Sequence, residues 1–226
     1  MEKSRMKETQ SESSSFEVLS GETDNNIVAG NYYNKYATKS LIARYLVRGF
    51  ERSLKHCVGL VAPHSIHEVG CGEGYLALQW VKSGYQVKGS DFSEKAIAMA
   101  RKNALAMNLD PDIFYKRDIY ELNPETDAAD LIVCCEVLEH LENPELALQT
   151  LTSITRKYIV LSVPNEPLWS CMNIARGKYL SNFGNTPGHR QRWSRKRFVA
   201  LVSQYCRIYL VNKPTPWTML LCEKYE

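Results

Sequence analysis

The feature that most constrains this chain of 226 residues is the glycine-rich stretch EVGCGEG at positions 68–74. It follows a short run, 65–67, and precedes an apolar run, 75–81, so it predicts a tight turn between a strand and a helix. Glycines let backbone approach a ligand because they lack a Cβ, and such a turn points free N–H groups at the same place. The spacing is G-x-G-x-G, whereas the dinucleotide fingerprint is G-x-G-x-x-G. Glu68, two residues before the first glycine, can face a cationic group of the ligand.

A second acidic residue follows where the next predicted strand ends. Residues 86–91 read as a strand that finishes at Asp91, about 20 residues past the glycine turn, where such sites bind a ribose diol. The run at 129–135 is almost wholly apolar, as in a strand buried on both faces. The other predicted strands cover 112–116, 158–163, 207–212 and 217–223, the last two as an antiparallel edge pair. The predicted helices cover 38–58, 75–81, 93–108 and 195–205, with another opening at 143–145.

Four motifs in this order resemble those of class I S-adenosylmethionine (SAM)-dependent methyltransferases. They are EVGCGEG at 68–74, SDFS at 90–93, RDI at 117–119 and DLIVCCEVLEHL at 130–141. The last motif is most similar to ubiquinone-type O-methyltransferases, of the methyltransferase type 11/12 group, and also resembles small-RNA 3′-end 2′-O-methyltransferases. The resemblance implies an α/β fold with a Rossmann-like, seven-stranded, mostly parallel sheet and helices on both faces.

The resemblance also implies which residues contact SAM. Glu68 and the glycines would approach its methionine end, and Asp91 would bind the ribose hydroxyls. Phe92 would lie against the adenine, and Asp118 would accept a hydrogen bond from the adenine amino group. The full set of implied cofactor contacts is Glu68, Gly70, Cys71, Gly72, Gly74, Asp91, Phe92, Asp118, Ile119 and Cys135.

His140 is the leading candidate for a catalytic base. It follows the predicted strand 129–135, at the edge where the methyl group is expected, and the ordinary pKa of histidine suits proton transfer. Glu136, Glu139 and His140 would share one helical face at i, i+3 and i+4. Together with His189 they could hold a divalent cation, as in the small-RNA methyltransferases. Both roles stay open, and a base without a metal is favoured.

Three regions are expected along the chain. Residues 1–30 form a polar, disordered tail. Residues 31–62 form N-terminal cap helices, in which Tyr33, Tyr36 and Arg44 could cover the cofactor. Residues 63–226 form the SAM-binding domain, and its long segment 164–193 is expected to be a substrate lid, because stretches of this length without regular structure are usually functional.

Composition restricts the class of protein further. No apolar run approaches the roughly 20 residues that span a bilayer, so no membrane partner is expected. The seven scattered cysteines contain no C-x-x-C pair and predict reduced thiols in a cytoplasmic enzyme. Residues 171–198 contain seven Lys or Arg and no acid. Such a stretch is typical of a surface that binds an anionic ligand or a nucleic acid, and it is equally typical of a solvated surface.

The expected function is therefore O-methylation of a small acceptor, with an anionic group if the basic residues bind it. The alternatives are a metal-dependent RNA 2′-O-methyltransferase and a non-catalytic SAM-binding protein. The motifs specify a fold and a cofactor, and they leave the acceptor and the oligomeric state open.

Overall fold

The computed structural model describes residues 16–19, 23–24, 27–28 and 40–225. The expected disordered tail and the expected cap at Tyr33 and Tyr36 lie largely outside these residues. Thr23–Asp24 and Ile27–Val28 pair in a small antiparallel ladder. The first long helix, α1, covers Leu41–Val61 and begins at Ser40, whose side chain accepts a hydrogen bond from the Ala43 N–H.

Seven strands form a single mixed sheet. They are β1 Ser65–Val69, β2 Gln86–Asp91, β3 Phe114–Lys116, β4 Ala129–Cys135, β5 Thr155–Pro164, β6 Cys206–Asn212 and β7 Trp217–Lys224. Their order in the sheet is β3-β2-β1-β4-β5-β7-β6. All neighbouring pairs are parallel except those of β7, which runs antiparallel to both β5 and β6. The expectation of a mostly parallel, Rossmann-like sheet with an antiparallel closing pair is confirmed.

Helices cover both faces of the sheet. After α1 the helices are α2 Tyr75–Lys82, α3 Glu94–Ala106, α4 Pro124–Asp127, α5 Pro144–Ile154, α6 Leu168–Ala175 and α7 Arg195–Val202. Residues of α1, α2 and α3 pack in one buried cluster, and residues of α5 and α7 pack in a second cluster on the other side of the sheet. Short 3₁₀ turns cover Pro111–Ile113, Ile119–Glu121, Leu138–His140 and Leu180–Asn182.

Local capping explains where several helices begin. The side chains of Ser93, Asn143 and Ser194 accept hydrogen bonds from backbone N–H groups in the first turns of α3, α5 and α7. Each cap satisfies an N–H that has no partner inside its helix. By contrast, β3 begins two residues later than the predicted Asp112, because Asp110 caps the 3₁₀ turn that precedes it.

The segment 164–193 has more regular structure than the sequence indicates. It holds α6 and the 3₁₀ turn at 180–182. The Glu166 carboxylate accepts hydrogen bonds from both the N–H and the hydroxyl of Ser170 and lies 3.6 Å from the Arg192 guanidinium. Because Glu166 and Ser170 are buried, this cluster ties the start of the segment to its end.

Candidate active site

The turns after β1, β2, β3 and β4 meet at the carboxyl edge of the sheet and open onto a cavity of about 580 Å³. Ligands of doubly wound sheets bind at this edge, because successive strand ends and their turns converge there. α1 and the segment 164–193 supply the other walls. The residues that were expected to contact a cofactor and that line the cavity are Glu68, Gly70, Cys71, Gly72, Asp91, Phe92, Asp118, Ile119 and Cys135.

The glycine turn is held against the end of β2 by its own backbone. The N–H groups of Gly70 and Cys71 donate to the Ser90 carbonyl at 2.8 and 3.0 Å, and the Gly72 N–H donates to the Asp91 carboxylate at 2.9 Å. Glu68 is buried, and its carboxylate accepts from the Ala77 N–H at 2.8 Å in the first turn of α2. The two acids predicted from the sequence therefore also fix the shape of the turn.

The glycines of the turn have different roles. Gly70 has a φ of +75°, and a Cβ there would lie 2.3 Å from the Val137 side chain, so only glycine fits without a shift. Gly74, the N-cap of α2, is not among the cavity residues. A Cβ at Gly74 would meet the Phe114 ring at 2.6 Å. Gly74 thus makes room for core packing, and its expected contact with a cofactor stays a prediction.

Asp91 combines burial with donor groups that compensate for it. Its second carboxylate oxygen accepts from the Ser93 N–H at 3.0 Å. Burial raises the pKa of the Asp91 carboxyl to about 6, and the N–H donors of Ser93 and Gly72 limit the rise. At neutral pH the carboxylate form prevails, and each oxygen keeps a lone pair for a hydroxyl donor.

Asp118 and Ile119 stand at the beginning of the turn that follows β3. The Asp118 carboxylate accepts from the Tyr120 N–H at 3.0 Å, which opens the 3₁₀ turn 119–121. Phe92 lies on the turn after β2, so an aromatic ring, an aliphatic side chain and a carboxylate line the same end of the cavity. This combination can enclose a flat heteroaromatic ring and accept from its amino group.

The segment after β4 is not the single helical turn that the sequence predicts. Glu136 has a φ of +61°, and the 3₁₀ turn begins only at Leu138. The Glu136 carboxylate instead accepts from the Trp217 indole N–H at 2.5 Å and the Ser162 hydroxyl at 3.2 Å. The prediction that Glu136 shares a face with Glu139 and His140 is therefore wrong.

The structure does bring Glu139, His140 and His189 together. One ligand atom from each lies within 4.8 Å of the others. The N–H groups of Arg190 and Gln191 donate to the Glu139 carbonyl at 2.8 and 2.9 Å, which brings the end of the 164–193 segment to the 3₁₀ turn. Atoms that share one divalent ion lie about 3–4 Å apart, since each is roughly 2.1 Å from it. A small movement would let these three side chains hold such an ion.

Hydrogen bonding fixes the tautomer of His140. Its Nδ1 lies 3.1 Å from the Gly188 carbonyl, and a carbonyl only accepts, so Nδ1 carries the proton and Nε2 keeps a lone pair. Burial lowers the pKa of His140. Burial, with the nearby His140 and Arg192, lowers the pKa of His189 to about 3. Both imidazoles are therefore neutral at pH 7 and can act as a base or as ligands.

Comparisons with known proteins agree with this geometry. Residues 67–159 match the family described as "Methyltransferase domain". A ubiquinone biosynthesis O-methyltransferase from Alkalilimnicola ehrlichii is 30% identical over 114 residues, 49% of this chain and 45% of that protein. The resemblance to class I SAM-dependent methyltransferases is thus confirmed over residues 67–159. The chain spans less than two thirds of the length of the first curated relatives that it matches.

Solved structures share the fold of this chain. Magnesium protoporphyrin IX methyltransferase from Synechocystis with bound SAH has a TM-score of 0.63 and 18% identity, over 84% of this chain and 90% of that one. The methyltransferase domain of a bacterial Hen1 protein has a TM-score of 0.58 and 22% identity, over 79% of this chain and 99% of that one. At these identities the likeness is one of fold.

The far wall of the cavity consists of residues to which the sequence analysis assigns no role. Trp217 and Trp169 have ring centroids 5.8 Å apart, and Trp169 stacks on His189 at 6.1 Å. Trp217 also packs edge-on against Phe50 of α1 at 5.2 Å. A signal for Trp217 existed: it begins an antiparallel strand, and the start of such a strand lies at the carboxyl edge of its parallel neighbours. The four motifs do not reveal it, because they end before β7.

Proposed function

We propose that this protein transfers the methyl group of SAM to an oxygen atom of a small acceptor. The observation that carries the proposal is the shared cavity. The glycine turn and Asp91 form one part of its wall, and His140 with a free Nε2 lone pair forms another. A cofactor site and a base thus face the same space.

The described residues fit SAM. The Asp91 carboxylate can accept from two ribose hydroxyls, and Gly70 and Gly72 of the neighbouring turn line the same cavity. Phe92, Asp118 and Ile119 would hold the adenine. SAM supplies an electrophilic methyl group on a sulfonium, and the chain's own part is to bind, to orient and to remove a proton.

His140 would take the proton of the acceptor hydroxyl on Nε2. The Gly188 carbonyl holds the ring through Nδ1, so the positive charge that forms remains hydrogen-bonded. The indole rings of Trp169 and Trp217 would lie along a flat or apolar acceptor. The segment 164–193, which contributes Trp169, Arg176, Lys178 and His189 to the cavity, would serve as the lid.

A second candidate is a metal-dependent RNA 2′-O-methyltransferase. The cluster of Glu139, His140 and His189 favours it, since these residue types in this proximity suit a divalent cation. The basic character of the lid also suits a nucleic acid. Against it, Glu136 is turned toward Trp217 and Ser162, so the four-ligand set expected from the resemblance is reduced to three in this arrangement.

A single assay separates these possibilities. Labelled SAM is incubated with the protein and either a metabolite extract or short RNA, each with and without EDTA. The proposal expects EDTA-resistant labelling of the extract, lost in His140→Ala and kept in the matched surface variant His64→Ala. Labelling of RNA that EDTA abolishes and Mg²⁺ or Mn²⁺ restores would favour the second candidate. SAM binding by calorimetry without labelling of either would indicate a non-catalytic SAM-binding protein.

A further inference from the structure

Glu136 lies where the turn after β4 meets the aromatic wall of the cavity, and its backbone departs from that of the strand before it. In an extended chain every second side chain lies on the same face, so Glu136 would point to the face of Cys134, which belongs to the apolar cluster packed against α5 and α7. Its φ of +61° is a left-handed conformation that residues with a Cβ rarely adopt. In this conformation Glu136 lines the cavity and stays out of the apolar cluster.

The redirected carboxylate connects three neighbouring strands. The Glu136 N–H donates to the Ser162 carbonyl of β5 at 3.0 Å, and the Ser162 hydroxyl donates to the carboxylate at 3.2 Å. The other carboxylate oxygen accepts from the indole N–H of Trp217, the first residue of β7, at 2.5 Å. Because β5 lies between β4 and β7 in the sheet, Glu136 links the turn after β4 to the start of β7.

Trp217 is thereby held from three sides. Glu136 fixes its N–H edge, and its ring centroid lies 5.2 Å from that of Phe50 of α1 and 5.8 Å from that of Trp169 in the segment 164–193. Hydrogen bonds to a charged acceptor are shorter and stronger than those between neutral groups. The Trp217 ring therefore keeps one orientation at the cavity wall.

The two tryptophans of the wall are anchored separately. The Trp169 indole N–H donates to the Thr186 hydroxyl at 2.9 Å, so Trp169 is held within the segment 164–193. Trp217 is instead anchored to the turn that carries His140, four residues after Glu136. The Glu136 carboxylate thus fixes one part of the aromatic wall relative to the candidate base.

We propose that Glu136 is a positioning residue, which holds Trp217 as the surface against which the methyl acceptor lies and fixes that surface relative to His140. The role rests on the proposed function. An apolar pair could pack at this place without removing a carboxylate from water, so packing alone does not explain the acid. A misplacement of about 1 Å can cost roughly 10²-fold in rate, which is why a fixed wall matters for the transfer.

The hydrogen bond itself is tested on the full chain labelled with ¹⁵N-tryptophan. The four tryptophans give four indole N–H signals, of which Trp217→Phe and Trp169→Phe assign two. In Glu136→Ala the Trp217 indole proton should exchange with water at least about tenfold faster, because bonds to charged groups are the strong ones. In Glu136→Gln it should stay protected, since the amide oxygen still accepts. The Trp169 signal, held by Thr186, is the internal control.

The positioning role is tested by methyl transfer from labelled SAM to a serially diluted metabolite extract. Glu136→Ala should raise the extract concentration that half-saturates the enzyme and lower the maximal rate about 10–100-fold, with SAM affinity by calorimetry kept. Trp217→Phe, which keeps a ring and loses the N–H, should lose a similar amount. The double variant should be no worse than either single one, because the two side chains act as one unit. Glu125→Ala, which removes an exposed carboxylate of α4, is the matched control.

Three results would overturn the proposal. The first is a Trp217 indole signal that Glu136→Ala leaves unchanged. The second is losses that add in the double variant, which would mean that Glu136 acts independently of Trp217. The third is a Glu136→Gln variant as damaged as Glu136→Ala with EDTA-sensitive activity, which would make Glu136 a ligand of a cation. If the native chain labels no acceptor, the proposed function fails and the wall loses its role, whereas the indole signals still decide whether Glu136 holds Trp217.

Discussion

At the scale of single residues, Gly70 is the position where one added carbon should do the most damage to cofactor binding. Its φ of +75° strains any other residue by about 1–2 kcal/mol, and a Cβ would in addition lie 2.3 Å from Val137. Gly70→Ala should therefore weaken SAM binding at least tenfold by calorimetry. Gly84→Ala, at φ +88° with nothing within 4 Å of a Cβ, carries the strain alone and should keep the affinity. Equal affinities in both variants would place SAM elsewhere.

His140 carries the second residue-scale prediction. Burial lowers its pKa below the ordinary 6.5, and a base works only when neutral. The rate should thus be constant near pH 7 and fall as pH drops through a midpoint below 6.5. His140→Gln should lose about 10²–10⁴ in rate, and the residual rate should lack this pH dependence. An acid limb that persists unchanged in His140→Gln would assign it to another group.

Sequence could predict which residue types surround the cavity, but not every direction in which they point. Gly70 and Asp91 follow from local spacing, because a turn and a strand end are local features. Glu136 does not, because its partner Trp217 lies 81 residues away and its left-handed backbone has no sequence signature. The aromatic wall was missed for the same reason: its members meet only when the sheet forms.

At the scale of elements, a short N-terminal strap, residues 16–19, contacts the glycine turn and the helix that follows it. The backbone of Glu17 exchanges two hydrogen bonds with the buried Asn103 amide, which also donates to the Glu73 carbonyl. The Glu73 carboxylate accepts from the Leu19 N–H at 3.1 Å. Phe16 packs edge-on against Tyr75 at 5.3 Å. The strap thereby links a segment far away in sequence to the turn that opens α2.

The strap should contribute measurably to stability. Asn103→Ala removes its hydrogen bonds and should lower the free energy of unfolding by roughly 1–3 kcal/mol, since buried partners are left unpaired. Denaturant titration measures this loss. Deleting residues 1–19 should make the same substitution less costly, because two of the three bonds are already absent. If Asn103→Ala cost the same in both backgrounds, the bonds to Glu17 would not contribute.

The elements themselves were largely predictable. β2 and β4 have the bounds expected from their sequence, because apolar runs and strand-ending acids are strong local signals. The start of β3 and the end of α7 were placed wrongly by a few residues, because competing turns decide such boundaries. The sequence underestimates the regular structure of the segment 164–193, because that structure depends on contacts among Glu166, Ser170 and Arg192, which are up to 26 positions apart.

At the scale of the whole molecule, buried titratable groups make opposing contributions to stability. Burial lowers the pKa of His67, which bonds Asp127 and Ser90 in the core, to about 4. Its stabilising contribution, about 3 kcal/mol, is present above pH 6.5 and is lost as pH falls toward 4. Asp91 acts in the other direction, because its pKa is raised to about 6 and the folded state gains a proton first on acidification. That gain is also about 3 kcal/mol, so the two groups nearly cancel.

The pKa shifts of His140 and His189 therefore decide how the stability of the fold changes as the pH falls. Both have lowered pKa values, so the unfolded chain binds their protons first and stability falls between pH 6.5 and 4.5. The midpoint of thermal unfolding should drop over this range, by about 2–4 °C for each kcal/mol lost. His189→Gln should make the drop smaller, and the exposed His56→Gln, as the matched control, should leave it as in the native chain. An unfolding midpoint that rises on acidification would mean that Asp91 outweighs the histidines, and a drop that His189→Gln does not reduce would exclude His189 as its source.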